Sequence, residues 1–425
     1  MAIITLCYER ILNLAKKHLS VVYVSPGWPL SNFPNGIVTY IQNLLPSLSD
    51  DICADVLAHQ VGNDIFDESV VDLSKIVLDE NIVTRLISKI LYRIKTQYVE
   101  QQLCQHRWVK LSKQIVAGIE SLEKQPNLIE IEETFGLTKG LVAATDIPII
   151  TRLHGPWFTH GPNVNISTQT DYYPRVKAEG LGIKASHGVS APSHDVLERV
   201  REYYNIALPD AAVIPNPVLP VHQDLQWAYR SEVRPTVLFV GRFEGQKGGD
   251  LAVDSFRIMA QYNKEIELLF VGPDSGIFID HQKFSFQQYV DKFIAETHIK
   301  NRIHFLGHCS SEHIASLRRS STVTIMTSRY ETFSISLAEA LATGSPVVAS
   351  NVGAIKELVT DGFNGVLAEP ESAESIAEKV IALICDSDHM QMLSDNAIVD
   401  SRERFSPEVV AKQTIKFYRS VLNGC

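Results

Sequence analysis

The chain of 425 residues has no apolar run near the 18 residues that a membrane-spanning helix needs. Its six cysteines, Cys7, Cys53, Cys104, Cys309, Cys385 and Cys425, form no Cys-x-x-Cys pair. That spacing excludes a disulfide framework and a zinc pattern. Positive charge is not in surplus: 39 Lys and Arg stand against 49 Asp and Glu, a formal net charge of −10. A dedicated nucleic-acid binder would carry the opposite balance. The Gly-Lys-Ser/Thr of a phosphate loop and the Gly-x-Gly-x-x-Gly of a dinucleotide fold are both missing. The second absence argues against an NAD-dependent dehydrogenase. Glu9 and Arg10 interrupt the first apolar stretch too early for a signal peptide. With scattered thiols, this predicts a cytoplasmic protein.

What is present is ordinary globular chemistry, with 45% hydrophobic and 21% charged residues. Short apolar runs alternate with helical patterns. The first series is Val21–Val24, Ile52–Leu57, Leu128–Ile131, Ile147–Leu153, Gly188–Ala191 and Ala212–Ile214. The second is Thr236–Val240, Ile266–Val271, Arg302–Phe305, Val323–Met326 and Pro346–Ala349. Most are β-branched and nearly continuous, as strands covered on both faces are. Two such series predict an α/β protein of two doubly wound, Rossmann-like domains. The proline-bearing stretch from Asn216 to Asp224 reads as the linker. The expected domains are residues 1–216 and 217–405, with a last helix over 406–425 that Ser406-Pro407-Glu408 opens.

The chemistry clusters at strand ends. Ser328 to Ala340 follows an apolar strand and opens a helix, with Glu331 in the turn and Glu339 between one and two turns in. Free N–H groups at a helix start favour a phosphate, and a carboxylate nearby accepts from sugar hydroxyls. The bland alternative makes Glu331 a surface-loop acid and Glu339 the partner of a nearby base. Gly241-Arg242-Phe243-Glu244-Gly245-Gln246-Lys247-Gly248 follows the first strand of the second series. Its glycines admit close backbone approach and its two cations suit a diphosphate; the alternative is a turn with solvated cations. Asn35-Gly36 opens a helix after the first strand, and Thr151-Arg152-Leu153-His154-Gly155 ends another. His154 there is either a donor to developing charge or a structural histidine.

Together these residues resemble the family-4 retaining glycosyltransferases of the GT-B fold. The resemblance runs from about Ser20 to the last helix. It is strongest over Thr236–Leu367, through Gly241-Arg242, Lys247-Gly248, Val271-Gly272, the Glu331/Glu339 pair and Asp361-Gly362-Phe363-Asn364-Gly365. It implies a GT-B architecture in which two Rossmann-like domains face each other across a cleft. It also implies a nucleotide-sugar donor, UDP- or GDP-linked, on the second domain and an acceptor hydroxyl entering from the first. The acceptor would be a sugar, a lipid-linked molecule or a small molecule, in polysaccharide or glycoconjugate synthesis. By position, Arg242 and Lys247 would neutralise the diphosphate, Glu339 would hold the ribose hydroxyls, Glu331 would contact the transferred hexose and His154 would lie near the anomeric centre. Gly36, Gly272, Phe333, Ser334 and Ile335 would complete the donor cradle, and the last helix, 406–425, would cross back to the first domain. No metal or other cofactor is expected, and Asp386-Ser387-Asp388 is not read as a metal motif. Where the family often has glycine, this chain has Asn35, Thr332 and Ser334; asparagine tolerates a left-handed backbone well.

Two readings stand apart from that pattern. Residues 1–18 are expected to be a helix of no assigned role. The stretch Arg85–Lys113 holds seven basic residues and one acid, with Leu86, Ile90, Leu91 and Ile94 at helical spacing. It is either a solvated helix or one that touches an anionic membrane at its inner face. The competing functions are a non-catalytic partner subunit of the same fold and a phosphorylase or epimerase of the same architecture.

Overall fold

The computed structural model of the chain describes residues 19–48, 52–63, 67–78, 97–161, 172–230, 234–280 and 282–424. The expected N-terminal helix lies outside them, as does much of the basic stretch Arg85–Lys113.

Two parallel sheets carry the molecule. The first holds β1 (Leu19–Ser25), β2 (Ile52–Ala58), β3 (Val70–Asp72), β4 (Leu128–Glu132), β5 (Ile149–Arg152), β6 (Gly188–Ala191) and β7 (Ala212–Val213), in the spatial order β3-β2-β1-β4-β5-β6-β7. All seven residues of β1 are buried, the mark of a central strand covered on both faces. The second holds β8 (Thr236–Val240), β9 (Glu267–Val271), β12 (Ile303–Gly307), β13 (Val323–Met326), β14 (Val347–Ser350) and β15 (Val366–Ala368), ordered β12-β9-β8-β13-β14-β15. A small antiparallel hairpin, β10 (Ile277–Ile279) and β11 (Gln282–Phe284), stands beside it. Both sheets are α/β and doubly wound, and the fold is GT-B.

Seven helices matter for the site: α1 (Gly36–Leu44), α2 (His194–Tyr204), α3 (Gly249–Tyr262), α4 (Ser311–Ser320), α5 (Ile335–Thr343), α6 (Ser387–Phe405) and α7 (Pro407–Gly424). Several of these starts follow from short polar caps. Asn35 accepts from the Ile37 N–H, Ser193 from Val196, and Asp386 from His389. Asp386 is thus a helix cap at the start of α6. Asn35 has φ −151°, so its backbone is extended and its tolerance of a left-handed conformation is not called on. A cap residue needs that extended geometry to turn its side chain onto the helix N–H groups.

The second core is rich in phenylalanine. Phe239, Phe243, Phe270 and Phe286 lie ring to ring at 4.4–5.9 Å. The first core includes side chains from the far end of the chain: Val410, Phe417, Tyr418 and Val421 of α7 pack with Leu19, Val21 and Tyr23. The proline-bearing connection is stitched to the second domain. Val218 N–H donates to the Phe405 carbonyl, Trp227 N–H to that of Thr343, and the Trp227 indole to that of Ser321, each at 2.8 Å. Short β3, β10, β11 and β15 were not anticipated; three residues give too little pattern to separate a strand from a loop.

Candidate functional site

In the second sheet the strand order reverses between β8 and β13, which pair directly. The crevice beyond the carboxyl ends of such a pair is where open α/β sheets take ligands. Both main sequence constellations fall there, the glycine-rich loop after β8 and the Glu331 turn after β13. Gly248 explains how they fit together. Its φ is +65°, and a Cβ at that position would run into the Thr327 carbonyl. Thr327 Oγ1 donates back to the Gly248 carbonyl at 2.7 Å. Arg329 bridges the loops by gripping Asp250 with two nitrogens, at 2.9 and 2.7 Å.

The charged groups of the crevice are paired. Glu331 is buried, 5% exposed, and its Oε1 receives Lys247 Nζ and Ser328 Oγ, each at 2.7 Å. It is therefore no surface-loop acid. Arg242 is half exposed and its guanidinium contacts Glu244 at 2.8 Å. That carboxylate holds the Arg242 pKa above its usual value. Glu339 projects from α5 and meets Arg318 at 2.8 Å. The two cations expected to stand open beside a ligand thus each carry a carboxylate partner.

Helix α5 begins without a side-chain cap. Its preceding residue, Ser334, sits at φ 67° and ψ 83°, a left-handed conformation unusual for serine. Its buried Oγ has no hydrogen-bond partner among the described residues. The first N–H groups of α5 are thus left to water or a ligand. The Phe333 ring lies in the core, edge-on to Phe405 at 5.6 Å, so its side chain is not at the crevice surface. Gly272, at φ +140°, packs against the Gly241 carbonyl with no room for a Cβ. Its place in the structure is a close backbone crossing.

The first domain meets this crevice. A Cβ on Gly36 would lie 3.6 Å from the Ile335 side chain, so the starts of α1 and α5 approach each other. Thr332 Oγ1 donates to the His154 carbonyl at 2.6 Å, and Ser193 Oγ to the Thr332 carbonyl at 2.7 Å. Glu357 spans the domains as well, accepting from the His194 and Asp195 N–H groups at 2.8 and 2.7 Å. His154 itself is placed by Glu133, whose two oxygens accept from the His154 and Gly155 N–H groups at 2.9 and 2.7 Å. Its imidazole lies edge-on to Tyr40, with centroids 5.2 Å apart. Burial, then the nearby Arg152 charge, holds its pKa well below the ordinary value, so the ring is neutral at pH 7. Beside it, burial and the neighbouring Glu133 push the Glu132 carboxyl up to about 7.

The structure therefore brings Gly36, His154, Arg242, Lys247, Gly272, Glu331, Ser334, Ile335 and Glu339 to one crevice region, with Phe333 turned inward. Ser328 opens the motif that holds Glu331, yet its role as a donor to that carboxylate carries no sequence signal. Arg318, Glu133, Ser193 and Glu357 likewise have no role that the sequence marks, because their partners lie 21 to 163 residues away and no local pattern records such pairings.

The family model described as "Glycosyl transferases group 1" matches residues 224–400, and "Glycosyltransferase Family 4" matches 34–220. The chain belongs to the group 1 glycosyl transferases of the family-4 type. An uncharacterised glycosyltransferase of Methanocaldococcus jannaschii is 25% identical over 253 residues, 57% of this chain and 62% of that protein. The chain spans 48–62% of the length of the first curated relatives it matches. Among solved structures, sucrose-phosphate synthase from Thermosynechococcus elongatus superposes with a TM-score of 0.69 at 16% identity, covering 96% of this chain and all of that one. Anabaena HepE in complex with UDP-glucose gives 0.65 at 19%, covering 95% and 100%. Among the described residues no helix is long and apolar enough to cross a membrane.

Proposed function

We propose that the chain transfers a hexose from a UDP- or GDP-linked donor to an acceptor hydroxyl, with retention of anomeric configuration and without a metal. The acceptor is a sugar, a lipid-linked saccharide or a small molecule in polysaccharide or glycoconjugate synthesis. The observation that carries this reading is the convergence, at the strand-order reversal of the second sheet, of Lys247, Arg242, Glu331 and the uncapped start of α5. The UDP-glucose complex of the Anabaena structural neighbour supports the choice of donor class.

Breaking the bond between C1 of the sugar and the diphosphate oxygen builds negative charge on the diphosphate and positive charge on the ring. Lys247, Arg242 and the α5 N–H groups stabilise the first. Glu331 then leaves its ion pair with Lys247 in part and faces the sugar. The acceptor oxygen bonds to C1 from the face the diphosphate leaves, and its proton passes to the departing phosphate oxygen. His154, neutral at pH 7, donates without adding a full charge near the ring.

The test is a transfer assay with product anomers resolved by NMR. Glu339→Gln and Lys247→Ala each lower turnover by about tenfold or more, the first by removing a charged acceptor for the ribose hydroxyls and the second by removing a cation beside the diphosphate. The wild-type product keeps the donor's anomeric form. Near-normal turnover in both variants, or an inverted product, overturns the reading.

A further inference from the structure

The last turn of α4 carries a buried arginine that lies in none of the sequence motifs. Arg318 is 4% exposed. Its guanidinium meets Glu339 Oε2 at 2.8 Å and donates to the Ser336 carbonyl and the Ser336 Oγ, each at 3.1 Å. Ser336 Oγ in turn donates to the Val240 carbonyl, at the end of β8, at 3.2 Å. One planar fork thus ties the end of β8, the first turn of α5 and Glu339 into a single unit. A lysine, with a point charge, cannot hold three acceptors in one plane.

The Glu339 side chain remains 40% exposed. Its Oε2 is held and its Oε1 has no hydrogen bond among the described residues. A glutamate on an exposed helix face otherwise samples many rotamers, and ordering it on binding weakens the complex. Here the ordering is done before a ligand arrives.

We propose that Arg318 is the positioning residue that makes Glu339 a reader of ribose hydroxyls, so that the enzyme selects a ribonucleotide donor over its deoxy counterparts. The inference rests on the nucleotide-sugar reading above. A site built to bond a hydroxyl rejects the analogue that lacks it, because the prepared group is left unpaired. Without Arg318 the Glu339 carboxylate loses both its fixed rotamer and its preference.

Calorimetric titration with UDP, GDP and ADP, and with the 2′-deoxy and 3′-deoxy forms of whichever binds, tests this on the full chain. Wild type should favour the ribonucleotide over at least one deoxy form by roughly ten- to hundredfold, the worth of a hydrogen bond to a charged group. Arg318→Gln should collapse that ratio to about threefold or less through loss of ribonucleotide affinity alone, as Glu339→Gln does. Arg318→Lys, which keeps charge but not the fork, should retain part of it and guards against a Gln variant that fails to fold. Equal weakening of ribo and deoxy ligands with the ratio intact would mean a merely structural arginine and overturn the proposal. If wild type binds none of the three nucleotides, the donor reading itself falls, a result distinct from an unchanged ratio.

Discussion

At the scale of single residues, the site is built from backbone positions that tolerate few side chains and from acids that are never alone. Gly248 is the sharpest case. Its left-handed φ and the Thr327 carbonyl at its back leave no space for a methyl group. Gly248→Ala is therefore expected to lower stability by about 2 kcal/mol or more, read as a fall in melting temperature, because strain and a backbone collision add. An unchanged melting point would mean that the two loops can separate. Ser334 is left-handed too, yet the chain keeps serine there. A strained residue that persists at the start of an uncapped helix points to a ligand there. Sequence singled out Glu331, Lys247 and Glu339, but not who holds them. Lys247 and Glu331 stand 84 residues apart and touch at 2.7 Å, and only the parallel pairing of β8 with β13 makes them neighbours.

At the scale of elements, the strongest local signals were read correctly and the weakest were lost. Thr236–Val240 and Val323–Met326 are continuous apolar runs, and both are strands over the full expected span. Val366–Ala368 and Val70–Asp72 are edge strands of three residues, too short for periodicity to register. Helix α7 shows what a helix signal leaves out. Ser406-Pro407 marks its start, and the family resemblance alone implies its return to the first domain, but nothing local tells that Tyr418 is the residue that reaches the first core. There the Tyr418 hydroxyl donates to buried Glu130 at 2.7 Å and lies 3.0 Å from that of Tyr23. Burial raises the Glu130 pKa while Arg152 and the tyrosine hydroxyls oppose the rise. Removing the Tyr418 hydroxyl leaves that carboxyl short of a donor in a dry place. Tyr418→Phe is expected to cost about 1–3 kcal/mol in chemical denaturation. A neutral result would show that α7 is held by its apolar face alone.

At the scale of the whole molecule, two sheets that share one strand order over six strands, the first with a seventh at its edge, face one crevice, and polar contacts bridge them there. Thr332, Ser193, His154 and Glu357 bridge the domains through hydrogen bonds of 2.6–2.8 Å, with Glu357 seated on the first N–H groups of α2. Such contacts suit domains that part and rejoin, since inter-domain interfaces of this polar kind permit relative motion. The two-domain α/β architecture was legible because two series of buried strands repeat in one chain. The bridging contacts were not, because they depend on how the domains sit together. The proposed function stands on the crevice at β8 and β13 binding a nucleoside diphosphate through Lys247 and its neighbours. Calorimetric titration of wild type and Lys247→Ala with UDP and GDP decides this. Wild type should bind one nucleotide saturably, and a folded Lys247→Ala should bind it at least about tenfold more weakly, the loss of one charged contact. Equal affinity in the two proteins, or no binding of either nucleotide by wild type, would overturn the assignment of the crevice.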